Sequence, residues 1–364
     1  MEKASLIEYL FSIFLFFTIL FMNRKVINNP QSNNTVSYIS FFVLGTIFCT
    51  FAFFCGDYYH YQETYKDVIL FGANGHLEDI HNWIINILPE GYHIWRMSLW
   101  GVALALYLYA LKRMRIKAGI ACLAITLIVL NYFPAPRQSM AFAIMLGGMT
   151  FITHPSRNKT ISYIIAMLLI YFSTFFHKSS ILYVLIALIS FLPLKRNFFI
   201  ISLLLFPILY RYLIPLSNNY INLFSTDESF IASGNMYLES DFRVTQTFWG
   251  WLNFIIYRFP VVLLLTYAIK QWYFNNKNKY TKSWTSTVYV KNAYFLFYLG
   301  ALFFNQQTSA FLSGRFMDAA LYPLVFVMAS EIHRSNKIPK TIKFAIYAFI
   351  VSVLYKYTHA ILTY

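Results

Sequence analysis

Residues 118–153, AGIACLAITLIVLNYFPAPRQSMAFAIMLGGMTFIT, contain two apolar runs separated by a short turn with two prolines. The runs, 118–134 and 138–153, approach the length of about 20 apolar residues that an α-helix needs to cross a bilayer core. Because the turn between them is so short, the two helices must be neighbours. The stretch therefore predicts a hairpin of two membrane-spanning helices.

Apolar runs of similar length recur along the whole chain. They lie at 5–22, 36–55, 94–111, 118–134, 138–153, 160–176, 179–194, 197–214, 248–269, 292–312, 316–332 and 341–362. The chain is 59% hydrophobic and 12% charged, whereas soluble proteins have about 45–50% and about 25%. These features exclude a soluble scaffold. They predict an all-α, polytopic integral membrane helix bundle of about twelve transmembrane helices, with residues 1–364 forming a single transmembrane domain.

The formal net charge is +15, and the charged residues are distributed as the predicted topology requires. Most Lys and Arg residues lie in alternate loops, beginning with residues 23–35, and most acids lie in the opposite loops. By the positive-inside rule the basic loops are cytoplasmic, which predicts a multi-pass protein of the bacterial cytoplasmic membrane and no nucleic-acid partner. Both termini would then lie outside. Cys49, Cys55 and Cys122 lack the spacing of zinc ligands or of a disulfide framework, so we expect no metal or other cofactor.

Two predicted outer loops, 56–93 and 215–247, are unusually long. Long loops in compact folds are usually functional or disordered. The first loop begins Gly56-Asp57-Tyr58-Tyr59, continues with a helix-compatible stretch at Leu77–Leu88, and ends near Tyr92. Its tyrosines either contact a polar ligand or form an aromatic belt at the membrane surface, while Asp57, at the end of a span, favours function. The second loop is either a substrate gate or a solvated connection.

Arg137 lies where a new helix is predicted to begin. Pro134 and Pro136 end the preceding helix, and the free N–H groups of the next helix create a natural seat for an anion. Arginine also matches phosphate oxygens with two parallel hydrogen bonds. The alternative is an arginine that only extends its charge to the membrane surface.

Several other ionisable residues lie at outer helix ends or inside spans, where charge is costly and often functional. His177 and Lys178 form an outer turn, Arg211 and Arg315 are at predicted outer helix ends, and Arg258 lies within a span before Pro260. Structural alternatives are an ion pair of Arg315 with Asp318 and a bond of Arg258 to a carbonyl freed by the proline. Together these residues predict a cationic cavity that opens to the outside.

The chain lacks the motifs of several enzyme classes. It has no Walker-type glycine loop, DxD pair, HExxH or GxSxG sequence, which argues against ATP-driven transport, glycosyl transfer from a sugar nucleotide with a metal, zinc proteolysis and serine hydrolysis. The expected substrate is an anion that arrives from outside or from the lipid phase. A lipid-linked pyrophosphate meets both conditions.

Four short motifs give the chain a family resemblance. They are Gly56-Asp57-Tyr58-Tyr59, Arg137-Gln138-Ser139-Met140-Ala141, Phe176-His177-Lys178-Ser179-Ser180 and Gly314-Arg315-Phe316. With these motifs the chain resembles the EpsG-like, Wzy-type bacterial polysaccharide polymerases, from about the second span to the eleventh. The paired arginine loop motifs of some O-antigen polymerases are absent.

The resemblance implies a metal-independent glycosyltransferase. Such an enzyme joins oligosaccharide repeat units carried on undecaprenyl pyrophosphate into a capsule, exopolysaccharide or O-antigen, at the outer face of the membrane. A flippase and a chain-length regulator are expected partners. A leaving pyrophosphate would be stabilised by Arg137 and Arg315, with Arg211, Arg258 and Lys178 as further binding residues. Histidine titrates near neutral pH, so His177 is the first candidate for the general base and Asp57 the second; Tyr58, Tyr59 and Tyr92 would stack on sugars.

Two other functions fit parts of the sequence. A flippase or exporter of lipid-linked glycans would also have many spans and a cationic cavity, but no internal repeat is evident. A membrane acyltransferase that modifies surface glycans would carry a histidine–arginine motif reached from the cytoplasm, and none stands out. Conversion of purified lipid-linked repeat units into a polymer ladder separates a polymerase from both.

Overall fold

A computed structural model describes ten ranges of the chain: residues 6–30, 35–51, 56–75, 77–132, 135–177, 180–193, 197–209, 248–271, 284–303 and 310–363. Within these ranges all regular secondary structure is helical. This agrees with the all-α prediction. The predicted outer loop 215–247 lies outside the described residues.

The helices are numbered here in chain order. They are α1 (Leu6–Asn28), α2 (Thr35–Phe51), α3 (Gly56–Phe71), α4 (Asp79–Ile87), α5 (Tyr92–Arg113), α6 (Ala118–Tyr132), α7 (Pro136–Thr153), α8 (Lys159–Phe172) with a 3-10 turn at Ser173–Phe176, α9 (Ser180–Ser190), α10 (Asn197–Leu209), α11 (Phe248–Ile269), α12 (Trp284–Phe303), α13 (Ala310–Ala319), α14 (Leu321–Ser335) and α15 (Lys340–Thr363).

Among the described residues, three helices are long and apolar enough to cross a membrane. They are Leu10–Asn28, Tyr92–Arg113 and Lys159–Phe176. Shorter apolar stretches of helix, of 10–17 residues, lie at Tyr38–Phe51, Ala118–Asn131, Ser180–Ser190, Asn197–Leu209 and Ile255–Ile269. The chain is thus consistent with a helical membrane protein, and the number of about twelve spans stays a prediction.

The chain packs as two compact units. Unit 1 contains residues 1–185 and 325–364, and unit 2 contains residues 186–324. The prediction of a single transmembrane domain is not tested by this division. Unit 1 contains α1 to α8 and α15, and unit 2 contains α10 to α13.

Helix α7 is the centre of unit 1. It packs against α5 and α8, and nearly all its residues are buried, as expected for a helix that is apolar on every side. At Gly148 an added Cβ would lie 3.1 Å from the carbonyl oxygen of Ala166, so glycine lets α8 approach closely. Tyr107 of α5 donates a 2.9 Å hydrogen bond to the carbonyl of Ser139. The hydrogen bond from Tyr107 holds the first turn of α7, where Arg137 lies, against α5.

Unit 2 differs from the predicted spans at α12. The prediction placed Lys291 in a cytoplasmic loop before a span at 292–312, whereas α12 already begins at Trp284. Lys291 is buried and its ammonium donates to the carbonyl of Leu192. The predicted start was wrong because hydropathy reads the polar residues before 292 as a loop, although packing buries residues 288–291.

The predicted span 316–332 is also divided differently. Helix α13 ends at Ala319 and α14 begins at Leu321. Pro323 lies in the first turn of α14, where its missing N–H costs little, but it would disrupt a continuous helix. Arg315 consequently lies inside α13, not at the end of a helix.

Candidate functional site

The turn between α3 and α4 is held in place by side-chain hydrogen bonds. Gly72 has φ +80°, a left-handed conformation that favours glycine. Asn74 donates to a carboxylate oxygen of Asp67 at 2.9 Å and exchanges hydrogen bonds with Asn82. Asn86 donates to the carbonyl of Gly72 at 2.9 Å. The predicted helix-compatible stretch at Leu77–Leu88 is confirmed as α4, and the turn holds Glu78 immediately before it.

Arg137 lies in the first turn of α7, as the two prolines predicted. Pro136 occupies the first turn and Arg137 follows it. The Arg137 Nη1 atom donates to Glu78 Oε2 at 2.6 Å, and its guanidinium carbon lies 4.9 Å from the ring centre of Tyr61. The two side chains of the ion pair are 14% and 8% exposed. Arg137 therefore forms a largely buried ion pair with an acidic side chain of the protein itself.

His177 follows the 3-10 turn and has extended backbone. Its Nδ1 atom lies 3.9 Å from Glu78 Oε1, so the carboxylate group lies between the Arg137 guanidinium and the His177 imidazole. Three separate segments, the start of α4, the start of α7 and the turn after α8, supply these groups. The structure thus brings Arg137 and His177 to one place, as the sequence predicted, but around a carboxylate that the prediction did not include.

His81 packs beneath this cluster. Its Nε2 atom is 3.0 Å from the carbonyl oxygen of Phe176 and 3.8 Å from Glu78 Oε2. Burial lowers the pKa of His81 to about 4, while Glu78 raises it and Arg137 lowers it. His81 is neutral at neutral pH, which makes it a donor to Phe176, not an acid–base group. Because its folded pKa is depressed, its unfavourable contribution to stability appears as the pH falls from 6.5 towards 4.

Tyr58 and Tyr92, predicted to stack on sugars, lie in an aromatic cluster with Arg96. Both tyrosines are buried, and their ring centres are 5.1 Å apart in an edge-on arrangement. The Arg96 guanidinium carbon lies 4.9 Å from the Tyr58 ring centre. In this structure the two rings pack against each other and against Arg96. Sugar stacking by the two residues stays a prediction.

Arg258 and Arg315 belong to unit 2 and are described within it. Arg258 Nη2 lies 3.3 Å from Asp318 Oδ2. Thus Asp318, which was considered as a partner of Arg315, pairs with Arg258. A Cβ added at Gly314 would collide with Arg258 Nη2, so Gly314 leaves the room in which the guanidinium reaches α13. Their proposed binding roles stay predictions.

Replacing Gly314 with alanine should uncouple Arg258 from α13. We expect a loss of about 1 kcal/mol or less in the free energy of unfolding, because the added methyl group displaces the guanidinium of Arg258 from Asp318, a partly exposed ion pair. In an Arg258→Ala background the same change should cost almost nothing. Chemical unfolding in detergent measures both. The control is Gly147→Ala, where no atom lies within 4 Å of the added Cβ; an equal cost of Gly314→Ala in both backgrounds would contradict the prediction.

The remaining predicted site residues fall partly or wholly outside the described residues. Lys178 and Arg211 lie outside them. Asp57 and Tyr59 are in the first turn of α3, but their side chains are outside the description. Their assigned roles stay predictions. Within the described residues, no group of three or more His, Cys, Asp or Glu could hold a metal ion.

Sequence reasoning missed Glu78 and His81 as members of the site. Both lie in the segment 56–93, which was predicted as a long polar loop, where an acid reads as a solvated residue. A usable signal was present, since Glu78 lies at the start of the helix-compatible stretch Leu77–Leu88 and His81 is three residues further on, which places both groups on one face of the helix start.

A comparison with protein families identifies the family of the chain. The model of the EpsG family matches residues 36–364. The chain belongs to the EpsG family, which indicates a membrane protein with a role of the polysaccharide-polymerase type. No curated protein and no solved structure matches the chain.

Proposed function

We propose that this protein polymerises oligosaccharide repeat units carried on undecaprenyl pyrophosphate, at the outer face of the bacterial cytoplasmic membrane. Its product would be a surface polysaccharide such as a capsule, exopolysaccharide or O-antigen. Membership in the EpsG family supports the class of reaction, and the charge pattern of the loops supports the orientation. The lipid-linked donor requires neither a sugar nucleotide nor a metal.

One observation carries the proposal: Arg137, Glu78 and His177 meet in a largely buried cluster at the first turn of α7. A cation can stabilise a leaving diphosphate, and an acid–base group beside it can take the proton of an acceptor hydroxyl. The N-terminal end of the α7 dipole adds positive potential. Burial strengthens each of these interactions, because the effective dielectric constant is lower than in water.

The proposed reaction is a displacement at the anomeric carbon of the donor. A hydroxyl oxygen of the acceptor sugar forms a bond to that carbon, and the bond from the carbon to the diphosphate oxygen breaks. The electron pair leaves with the lipid diphosphate, where Arg137 stabilises the growing negative charge. His177 accepts the hydroxyl proton and later releases it to water.

Replacing His177 with alanine should lower the rate of polymerisation by about 10²- to 10⁴-fold, the usual contribution of a general base. The measurement uses purified protein in detergent with lipid-linked repeat units extracted from a host strain that lacks this protein. Polymer length is followed on gels. The matched control is His60→Ala, because His60 is exposed on the neighbouring helix α3.

The same assay tests the class of protein. A ladder of products with the wild-type chain supports a polymerase. Repeat units that remain unchanged with the wild type, but cross the bilayer of proteoliposomes, would identify a flippase and overturn the proposal. If the His177→Ala variant makes full-length polymer at the wild-type rate, His177 is not the base.

A further inference from the structure

The carboxylate of Glu78 occupies the position on Arg137 that a substrate anion would need. Arg137 Nη1 and Glu78 Oε2 are 2.6 Å apart, the separation of a strong charge-assisted hydrogen bond. A diphosphate offers the same guanidinium several oxygens and a larger negative charge. Any anion that binds Arg137 through this nitrogen must therefore compete with Glu78.

From this geometry we propose that Glu78 exchanges partners during the reaction. Without substrate, its carboxylate binds Arg137 in place of the donor diphosphate. When the diphosphate binds Arg137, the carboxylate moves to His177 and orients that side chain as the base. The inference rests on the proposed function, because it takes a lipid diphosphate as the ligand.

The second partner is already close to Glu78. His177 Nδ1 lies 3.9 Å from Glu78 Oε1, so a shift of about 1 Å gives hydrogen-bond distance. The neighbouring imidazole of His81 is fixed by its 3.0 Å contact with the carbonyl oxygen of Phe176. Movement towards His177 is therefore the short path that keeps the carboxylate next to a proton donor.

The backbone around Glu78 allows this movement. Glu78 is the N-cap residue of α4 with extended backbone, and its side chain makes no capping hydrogen bond. The helix start uses the backbone instead, since the His81 N–H donates to the Glu78 carbonyl at 2.8 Å. The carboxylate can thus change partners while this backbone contact of the helix start is kept.

Charge supplies the driving force. Held beside a bound diphosphate, the carboxylate would be repelled by a like charge inside a low-dielectric site. At His177 it would accept a hydrogen bond from Nδ1–H and leave Nε2 to take the proton of the acceptor hydroxyl, as a carboxylate does for histidine in hydrolytic triads. Glu78 itself gains and loses no proton in the cycle. Binding of the donor thereby brings Glu78 to His177 and prepares His177 to act as the general base.

The variant Glu78→Gln separates the two roles. Glutamine has the same shape but competes for Arg137 only as a neutral acceptor. We expect it to tighten the binding of farnesyl diphosphate, a short water-soluble probe, by about tenfold, the difference between a charge-assisted and a neutral hydrogen bond. The polymerisation rate should fall by at least about tenfold. Isothermal titration with the purified full-length chain measures the affinity, and farnesol is the probe without charge.

The controls make each outcome decisive. Glu90→Gln changes an exposed acid of the same outer segment and should leave both affinity and rate unchanged. Weaker or equal binding of the diphosphate to Glu78→Gln, with wild-type binding intact, would overturn the exchange and leave the polymerase proposal standing. If the wild type itself binds farnesyl diphosphate no better than farnesol, the diphosphate substrate is refuted, and the exchange with it.

Discussion

Replacing Arg137 with lysine should reduce the polymerisation rate by about 10²- to 10³-fold, the usual cost of removing a preorganised donor to a developing charge. Lysine keeps the positive charge, so it can still pair with Glu78. It cannot present two parallel N–H groups to a phosphate. The variant should therefore fold at nearly normal levels and fail in the transfer step. Polymer length from purified protein and lipid-linked repeat units measures the effect.

Arg137→Ala should differ from Arg137→Lys in stability. Loss of the cation leaves the Glu78 carboxylate, which is 8% exposed, without its closest positive charge. Breaking a buried ion pair in this way costs about 3–5 kcal/mol, so we expect a clearly lower midpoint of thermal unfolding. Arg157→Lys, at an exposed position, is the control. Full-length polymer made by Arg137→Lys at the wild-type rate would remove Arg137 from the site.

The position of Arg137 was predictable because the signal is local. Two prolines within three residues end one helix and begin the next, and neither fact depends on the rest of the fold. The same holds for His177, a polar residue in a short turn between apolar runs. In both cases the order of apolar runs and turns along the chain is enough to place the residue: Arg137 at the start of α7 and His177 just after α8.

Glu78 was not predictable in the same way because its role depends on three distant segments. The sequence shows an acid in a polar loop, and the hydrogen bonds that fold α3 onto α4 are made by asparagines with no strong pattern. Lys291 is the converse case, since local hydropathy gave a loop and burial against the end of α9 gave a helix. A cationic cavity was predicted from arginine, lysine and histidine residues; the structure pairs Glu78 with Arg137 and Asp318 with Arg258.

Arg96 has an expected effect on stability of the same order as that of Arg137. Its side chain is fully buried near the start of α5, where Nη2 donates to the carbonyl of Cys49 at 2.6 Å and Nε to that of Thr50 at 3.3 Å. These carbonyls belong to the last turn of α2, whose backbone acceptors have no partner within the helix. The guanidinium also faces the rings of Tyr58 and Tyr92. Arg96 thus joins α2, α3 and α5.

Replacing Arg96 with methionine keeps most of the apolar stem and removes the donors. We expect a loss of about 3 kcal/mol or more in the free energy of unfolding, because two buried carbonyls lose their partners at about 1–3 kcal/mol each and a membrane offers no water to replace them. Thermal unfolding in detergent measures the change. Lys112→Met, at an exposed position of the same helix, should be nearly neutral.

Arg96→Lys separates the hydrogen bonds from the charge. One ammonium can reach one carbonyl well, so this variant should lie between wild type and Arg96→Met in stability. If Arg96→Met unfolds at the wild-type midpoint, the carbonyls of α2 are satisfied without the guanidinium, and Arg96 does not hold the three helices together. Helices α3 and α5 flank the segment that carries Glu78. Loss of the Arg96 hydrogen bonds should therefore also lower the polymer yield, in proportion to the fraction of protein that remains folded.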